Sequence, residues 1–224
     1  MQQNVPAPED STPPATPPRR GPWLVVRELT QTALIALLVY VLLQAVVSPY
    51  QVDGASMAPA LQNHERVLVN RMAYVGLDLN QLRDLLPGPD SDSADLHHPF
   101  GLPERGDIVV LDPPVPEASG EPYIKRVIGL PGDSVSFRQG YVYINGERLD
   151  ESYIDGAITS CRGDYCEIGA IPNDSVYVLG DNRRHSADSR TFGAVPIDRM
   201  IGKAVFANWP LDLIGPISGE DYGE

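Results

Sequence analysis

Lysine is scarce in this chain, and the position of one lysine suggests acid–base chemistry. Of the 17 basic residues only two are lysines, Lys125 and Lys203. The pKa of arginine stays above about 12, so arginine cannot serve as a neutral base, whereas burial in apolar surroundings can lower a lysine pKa by about 3–5. Tyr123 and Ile124 precede Lys125 and Val127 follows it closely, so burial is expected. The alternative is that two lysines simply remain in an arginine-rich composition.

A neutral lysine matters to a serine, because a serine hydroxyl is a poor nucleophile until a nearby base removes its proton. Four segments stand out in the sequence: DGASMAPAL, which contains Ser56; RGDIVVL, residues 105–111; YIKRVIGLPGD, residues 123–133, which contains Lys125; and GDNRRHSADSRTFG, residues 180–193. In order, spacing and residue content they resemble the conserved boxes of bacterial type I signal peptidases, which also carry an amino-terminal transmembrane anchor before the serine box. The resemblance covers residues 23–209, and four boxes in order behind an anchor are highly specific.

The resemblance implies a role for each matching residue. Ser56 matches the family's nucleophile and Lys125 its general base. Ser186 matches the serine that holds the lysine by a hydrogen bond. Asp188 and Arg190 match the polar pair that braces the lysine region. Three further residues belong to the same supporting box, namely Asp181, Asn182 and Arg183.

The resemblance also implies how substrate is held. Three residues match positions that line shallow pockets for small side chains: Val52, Tyr123 and Ile124. Gly54 stands where some members carry a serine whose hydroxyl helps to bind the oxyanion. The oxyanion donor is therefore expected to be a backbone N–H, and the role is assigned to the amide of Ser56.

The histidines offer two other kinds of site. A Ser–His–Asp triad of Ser186, His185 and Asp188 is possible on paper, because triads are defined by geometry. Side chains of neighbouring residues usually point to different faces of extended structure, however, which disfavours it. His97 and His98 lie near several aspartates and can form a metal site, although such a loop is more often a solvated turn. The sequence thus predicts neither a metal nor a cofactor.

An apolar segment precedes the serine box and is predicted to anchor it. Residues 23–47 are mostly apolar, and a membrane-spanning helix needs about 20 residues. Three arginines, at positions 19, 20 and 27, precede the most apolar part of this segment, residues 32–47, and the next arginine or lysine is Arg66. The positive-inside rule therefore places the amino terminus in the cytoplasm. A cleaved secretory signal is the alternative, but the region near Ser48 lacks a clean small-x-small site. The proline-rich residues 1–22 are predicted to be a disordered cytoplasmic tail.

The remaining residues, 48–224, predict an extracytoplasmic, β-rich catalytic domain. Short runs of β-branched and aromatic residues alternate with polar ones and are separated by Gly, Pro, Asn and Asp, a pattern typical of strands and turns. The expected fold is mainly β, a domain of coiled antiparallel sheets of the signal-peptidase type behind one N-terminal transmembrane helix. Residues 74–103 are expected to be an irregular insertion.

Charge and cysteine content limit the partners and the compartment. Residues 1–47 carry three basic and three acidic side chains, so the net charge of −13 lies on residues 48–224. Such a domain repels phosphate backbones, and nucleic acid is not an expected partner. Cys161 and Cys166 can close a small disulfide loop in an oxidising compartment. Two free thiols or half of a metal site are the alternatives.

The resemblance implies a signal peptidase that cleaves signal peptides from exported preproteins at the plasma membrane. Membrane lipid is its other expected partner, and a monomer is expected. Two rivals remain open. Self-cleaving SOS-type repressors use a Ser–Lys pair on a related β fold, but they need a DNA-binding domain. A membrane-tethered β binding module is the other rival, and it predicts that Ser56 and Lys125 are neither close nor buried.

Overall fold

A computed structural model describes residues 21–78, 96–115, 120–220 and 222. The chain divides into two compact units, residues 1–42 and 43–224. Most of the predicted tail, residues 1–20, lies outside the described part. The predicted N-terminal apolar helix is confirmed: α1 spans Pro22–Val46, and Trp23–Val46 is long and apolar enough to cross a membrane. Inside α1 the hydroxyl of Thr30 donates to the carbonyl of Val26 at 2.6 Å, which satisfies a polar group that lipid cannot.

The domain after the helix is built on one large antiparallel sheet. Its strands are β1 (Val47–Gln51), β2 (Arg66–Asn70), β5 (Ile108–Leu111), β6 (Tyr123–Gly129), β11 (Ser175–Leu179), β12 (Val195–Pro196), β13 (Met200–Trp209) and β14 (Gly215–Pro216). The order is β1-β2-β13-β5-β6-β11-β12, with β14 on β13. Register shifts interrupt the pairing of β13 with β2 and β5 and of β11 with β6, and such bulges increase twist. The predicted mainly β class is confirmed.

A smaller sheet packs beside the large one. It contains β10 (Glu167–Ile168), β7 (Val135–Arg138), β8 (Tyr141–Ile144) and β9 (Glu147–Arg148), in that order. Val135 and Val142 from this sheet are fully buried in one cluster with Ile128 and Tyr177 from β6 and β11. The two sheets therefore share a core, as period-two strands with one apolar face require.

The centre of the large sheet is buried on both faces. Ile108 and Val110 of β5 belong to one core cluster, whereas Val109 and Leu111 belong to another. Because alternate side chains of a strand point to opposite faces, both faces of β5 are covered. Because β6 pairs with β5, side chains on either face of β6 are also expected to enter an apolar interior.

The predicted insertion, residues 74–103, is described only at its two ends. Two short strands, β3 (Leu77–Asp78) and β4 (Leu96–His97), pair antiparallel there. Residues 79–95 lie outside the described part of the chain. One further short helix, α2 (Ser189–Phe192), follows β11 and carries part of the site described next.

Candidate active site

Strand β6 carries Lys125 into the interior of the domain. The strand is paired on both sides, with β5 and with β11, and Lys125 lies opposite Val109. Its side chain is only 3% exposed. The burial expected from the flanking apolar residues is therefore observed, and its cause is the central position of β6 in the sheet.

Ser56 meets this lysine from the loop between β1 and β2. Lys125 Nζ donates a hydrogen bond to Ser56 Oγ at 3.1 Å and another to the carbonyl of Ile124 at 2.7 Å. Two further contacts fix the position of the serine. The next residue, Met57, is fully buried, and the N–H of Asn182, from a distant segment, donates to the Ser56 carbonyl at 3.0 Å. The structure thus brings together two side chains that are 69 residues apart in sequence.

Burial changes the acid–base character of the lysine. Removal from water lowers the pKa of Lys125 from 10.5 to about 8, although the negative charges of Asp188 and Asp181 act in the opposite direction. Burial disfavours the charged ammonium, and the nearby carboxylates favour it. About a tenth of this amine is therefore neutral at pH 7, far more than for an ordinary lysine. A neutral amine within hydrogen-bond reach of a hydroxyl can take its proton.

Ser186 lies beside this pair, packed against Gly180. A β-carbon added at Gly180 would collide with the Ser186 side chain and with the Ser56 carbonyl oxygen, so only glycine allows this close approach. The Ser186 Oγ is buried and makes no hydrogen bond within the described residues. The bond from Lys125 that the family resemblance implies is thus not formed in this structure, where Nζ bonds to Ser56 and to the Ile124 carbonyl.

Asp188 and Arg190 form a buried, two-pronged ion pair. Arg190 Nε donates to Oδ1 at 2.8 Å and Nη2 to Oδ2 at 2.7 Å. The Asp188 carboxylate also accepts the N–H of Gly180 at 3.0 Å and caps α2. Asp188 is fully buried. The carboxylate therefore joins the strand end at Gly180 to α2, and it places negative charge near Lys125.

A second buried ion pair supports the same region. Arg126 donates to both carboxylate oxygens of Asp181, at 2.9 and 2.8 Å. Burial alone would lower the pKa of Arg126, but the hydrogen bonds and charge of Asp181 raise it. Arg183 extends the network to Thr159 and Glu151. The roles of Arg126 and Glu151 were missed from sequence, because nothing in a local motif reports a partner 55 or 32 residues away.

An open groove of about 550 Å³ contains the Ser56–Lys125 pair. Tyr123 and Ile124 line it, as expected for substrate-contacting positions. Val52 does not: it is 2% exposed and belongs to the core cluster under the serine loop. The groove is also lined by part of β1, by the loop before β6 and by His185.

Comparison with known proteins identifies the family. A family model described as signal peptidase, peptidase S26, matches residues 25–209. The chain belongs to the peptidase S26 family. The family resemblance predicted from the four boxes is confirmed, and the chain is a peptidase of the signal peptidase type.

Individual members of the signal peptidase family align over most of the chain. A probable signal peptidase I-2 of Synechocystis sp. is 32% identical, and the alignment covers 91% of this chain and 81% of the relative. Signal peptidase IB of Staphylococcus aureus (strain COL) is 30% identical over 83% of this chain and 90% of the relative. The crystal structure of a signal peptidase I from Enterococcus faecalis V583 aligns with 46% of this chain and 97% of that chain, at 33% identity and a TM-score of 0.38.

The backbone near Ser56 offers a hydrogen-bond donor to this signal peptidase site. Within the described residues the N–H of Ser56 donates no hydrogen bond, while the N–H of Gly54 is already bound to the Asn63 side chain at 2.8 Å. Gly54 adopts φ +93° with open space around its α-carbon. Glycine is therefore required at position 54 by the backbone conformation rather than by packing.

The histidine alternative is not assembled in the peptidase. His185 is exposed, and its Nδ1 lies 3.2 Å from Asn182 Oδ1, whereas the Asp188 carboxylate bonds to Arg190 and Gly180. A triad needs the histidine between the serine and the carboxylate, and that arrangement is absent among the hydrogen bonds of the described residues. Elsewhere in the domain, Cys161 and Cys166 are joined by a disulfide.

Proposed function

We propose that this signal peptidase family member is a membrane-bound serine endopeptidase that removes N-terminal signal peptides from exported preproteins, with Ser56 as nucleophile and Lys125 as general base. The observation that carries the proposal is the 3.1 Å hydrogen bond between Lys125 Nζ and Ser56 Oγ. The nearly complete burial of the lysine supports it. The hydrogen bond allows a proton to pass directly from Ser56 Oγ to Lys125 Nζ, and burial increases the fraction of Lys125 that is neutral and can accept it.

The proposed reaction proceeds through an acyl-enzyme. Neutral Lys125 takes the proton of Ser56 as Oγ attacks the scissile carbonyl carbon, and the carbonyl oxygen becomes an oxyanion. The Ser56 N–H, which is unused in the described residues, is the proposed oxyanion donor. Lys125 returns its proton to the leaving amine and then activates a water that hydrolyses the acyl-enzyme. The mature chain and the signal peptide leave in turn.

The buried polar groups around the lysine are proposed to hold it in position. Asp188 and Arg190 fix the segment after β11, and their contact with Gly180 brings this segment against Ser56. Ser186 is proposed to support the base by accepting a hydrogen bond from its ammonium form. Its buried, unpartnered Oγ fits that role, because a buried hydroxyl without a partner is costly.

The groove is proposed to hold the signal-peptide segment before the scissile bond. Tyr123 and Ile124 line it, and small residues at the first and third positions before the cleavage site are expected there. Val52 lies in the core, and it is proposed to form the floor of this region rather than a direct contact.

Helix α1 is proposed to anchor the peptidase in the plasma membrane. One N-terminal apolar helix and the signal peptidase I relatives fit a single-pass membrane protein. The three arginines at residues 19, 20 and 27 favour a cytoplasmic amino terminus and an extracytoplasmic catalytic domain. Anchoring confines enzyme and preprotein to one membrane surface and raises their effective concentration. Lipid and preprotein are the proposed partners of a monomer.

The experiment that tests the function is cleavage of a purified preprotein by the full chain in detergent, followed by amino-terminal sequencing of the product. The proposal predicts one new amino terminus directly after a small-x-small sequence. Cleavage at unrelated sites would indicate a peptidase of other specificity. Binding of the preprotein without any cleavage would favour the membrane-tethered binding module.

A further inference from the structure

The loop that carries Ser56 is closed at its base by backbone hydrogen bonds. Between β1 and β2, Val52 N–H donates to the Glu65 carbonyl at 2.8 Å, and His64 N–H donates to the Val52 carbonyl at 2.7 Å. Higher in the loop one side chain spans the gap: the N–H of Gly54 donates to Asn63 Oδ1 at 2.8 Å. Within the described residues, this is the only hydrogen bond between a side chain and the backbone of residues 53–56.

The Asn63 carboxamide is oriented by a second contact. Its Nδ2 lies 3.2 Å from His64 Nε2, which accepts a hydrogen bond from the amide nitrogen when the imidazole proton is on Nδ1. With the nitrogen directed to His64, the carboxamide oxygen is directed to Gly54. The two contacts are consistent with one orientation of the amide.

The conformation of Gly54 has no other side-chain support. Its φ of +93° lies in the region that glycine adopts freely, and beyond the two adjacent residues no described heavy atom lies within 4 Å of the position a β-carbon would take. Packing therefore does not select this conformation. The residues from Ser56 onward are held differently, by burial of Met57 and by the Asn182 N–H bound to the Ser56 carbonyl.

We infer that Asn63 is a positioning residue for the oxyanion donor, an inference that rests on the proposed function. Its carboxamide oxygen fixes the Gly54 peptide, and this in turn sets the direction of the Ser56 N–H two residues later. The Ser56 N–H donates no hydrogen bond within the described residues, so its direction depends on the conformation of the loop backbone. Preorganised donors stabilise the charge that develops in the transition state and contribute little to substrate binding.

The matched control is another asparagine that braces a loop far from the groove. Asn145 Oδ1 accepts the N–H of Ser134 at 2.9 Å, and Asn145 Nδ2 donates to Asp133 at 2.7 Å. Asn145→Ala therefore removes a comparable bond and one more, and its effect on stability is expected to be at least as large as that of Asn63→Ala. Neither Asn63 nor Asn145 lines the groove. A purely structural role for Asn63 predicts that Asn63→Ala and Asn145→Ala behave alike.

The experiment measures kcat and KM for a peptide that spans a small-x-small cleavage site, with the full chain in detergent, and the urea midpoint of each variant. Loss of one hydrogen bond of about 0.5–1.5 kcal/mol corresponds to about a two- to twelvefold change. Asn63→Ala is expected to lower kcat about three- to tenfold with KM changed less than twofold. Asn63→Asp keeps an acceptor oxygen and is expected to retain at least half of the wild-type kcat. Asn145→Ala is expected to leave kcat within twofold.

Three results would overturn the inference: kcat of Asn63→Ala within twofold of wild type, an equal kcat loss in Asn145→Ala, or an Asn63→Asp variant as slow as Asn63→Ala. Asn63→Leu, which keeps the shape and lacks the acceptor, replaces Asn63→Ala if the latter does not fold. Ser56→Ala, assayed beside them, separates the two proposals. If Ser56→Ala remains active, the proposed function fails, whereas an essential Ser56 with an unimportant Asn63 removes only this inference.

Discussion

The acidity of Lys125 makes the pH dependence of cleavage a quantitative prediction. The perturbation is pH itself, because the proposed base acts only as the neutral amine. Burial lowers the pKa of Lys125 from 10.5 to about 8. Activity should therefore rise with pH as the ammonium loses its proton, and it should level off above the folded-state pKa.

The magnitude follows from the fraction of neutral amine. With a pKa of about 8, about 9% of Lys125 is neutral at pH 7, compared with about 0.03% at the ordinary value of 10.5. The rate at pH 9 should exceed the rate at pH 7 about tenfold. An ordinary lysine would give about a hundredfold increase over the same interval, and the rate would still be rising at pH 10.

The assay is kcat/KM from pH 6 to pH 10, because this ratio reports ionisations of the free enzyme. It uses the full chain in detergent and a peptide without titratable side chains near the scissile bond. A single rising limb with a midpoint near 8 is expected. A midpoint near 6.5 would indicate a histidine base, and a tenfold rise per pH unit up to pH 10 would show that burial does not lower the pKa. Either result refutes the reasoning.

Three substitutions give further predictions, each checked by urea unfolding. Lys125→Met should raise the free energy of unfolding at pH 7 by roughly 1–3 kcal/mol. The pKa of Lys125 is lower in the folded state than in the unfolded state, so protonation of this lysine destabilises the wild-type fold, and the full effect is present below pH 8. This destabilisation disappears as the pH rises towards 10.5. Gly180→Ala should cost about 1–3 kcal/mol and reduce cleavage at least tenfold, whereas Gly169→Ala, which meets open space, should do neither. Arg126→Ala leaves buried Asp181 unpaired and should cost about 3–5 kcal/mol.

The exposed ion pair of Arg199 and Asp112, at 3.5 Å, is the control for the last substitution. Arg199→Ala should change the free energy of unfolding by less than about 1 kcal/mol, because exposed pairs contribute little. Equal effects of Arg126→Ala and Arg199→Ala would contradict the account of the buried network. For Lys125→Met, a stability gain that persists unchanged at pH 10.5 would show that its cause is packing rather than charge.

The fold class could be predicted because its signals are local. A long apolar run is sufficient for α1, and alternation of apolar and polar residues is sufficient for strands. The burial of Lys125 was also predictable from sequence, since apart from Arg126 the residues around it in β6 are mostly apolar. These features depend on neighbours in sequence, and a single sequence contains that information.

The remainder of the site depends on register between distant strands. The pairing of Arg126 with Asp181 follows from β6 lying beside β11, which no motif specifies. Val52 was expected at the substrate pockets from the family resemblance, but it lies in the core, because a matching position in a motif does not report which way its side chain points. The bridge from Asn63 to Gly54 was missed for a similar reason: it depends on how the serine loop closes on itself.

The most direct test of the Ser–Lys mechanism is cleavage of a preprotein by the wild-type chain, by Ser56→Ala and by Lys125→Ala, all in detergent and with folding checked by urea unfolding. Loss of a nucleophile or its base removes a large part of the rate enhancement. The mechanism predicts cleavage after a small-x-small sequence by wild type and at least a thousandfold loss in both folded variants. Cleavage by either folded variant at more than a tenth of the wild-type rate would contradict it.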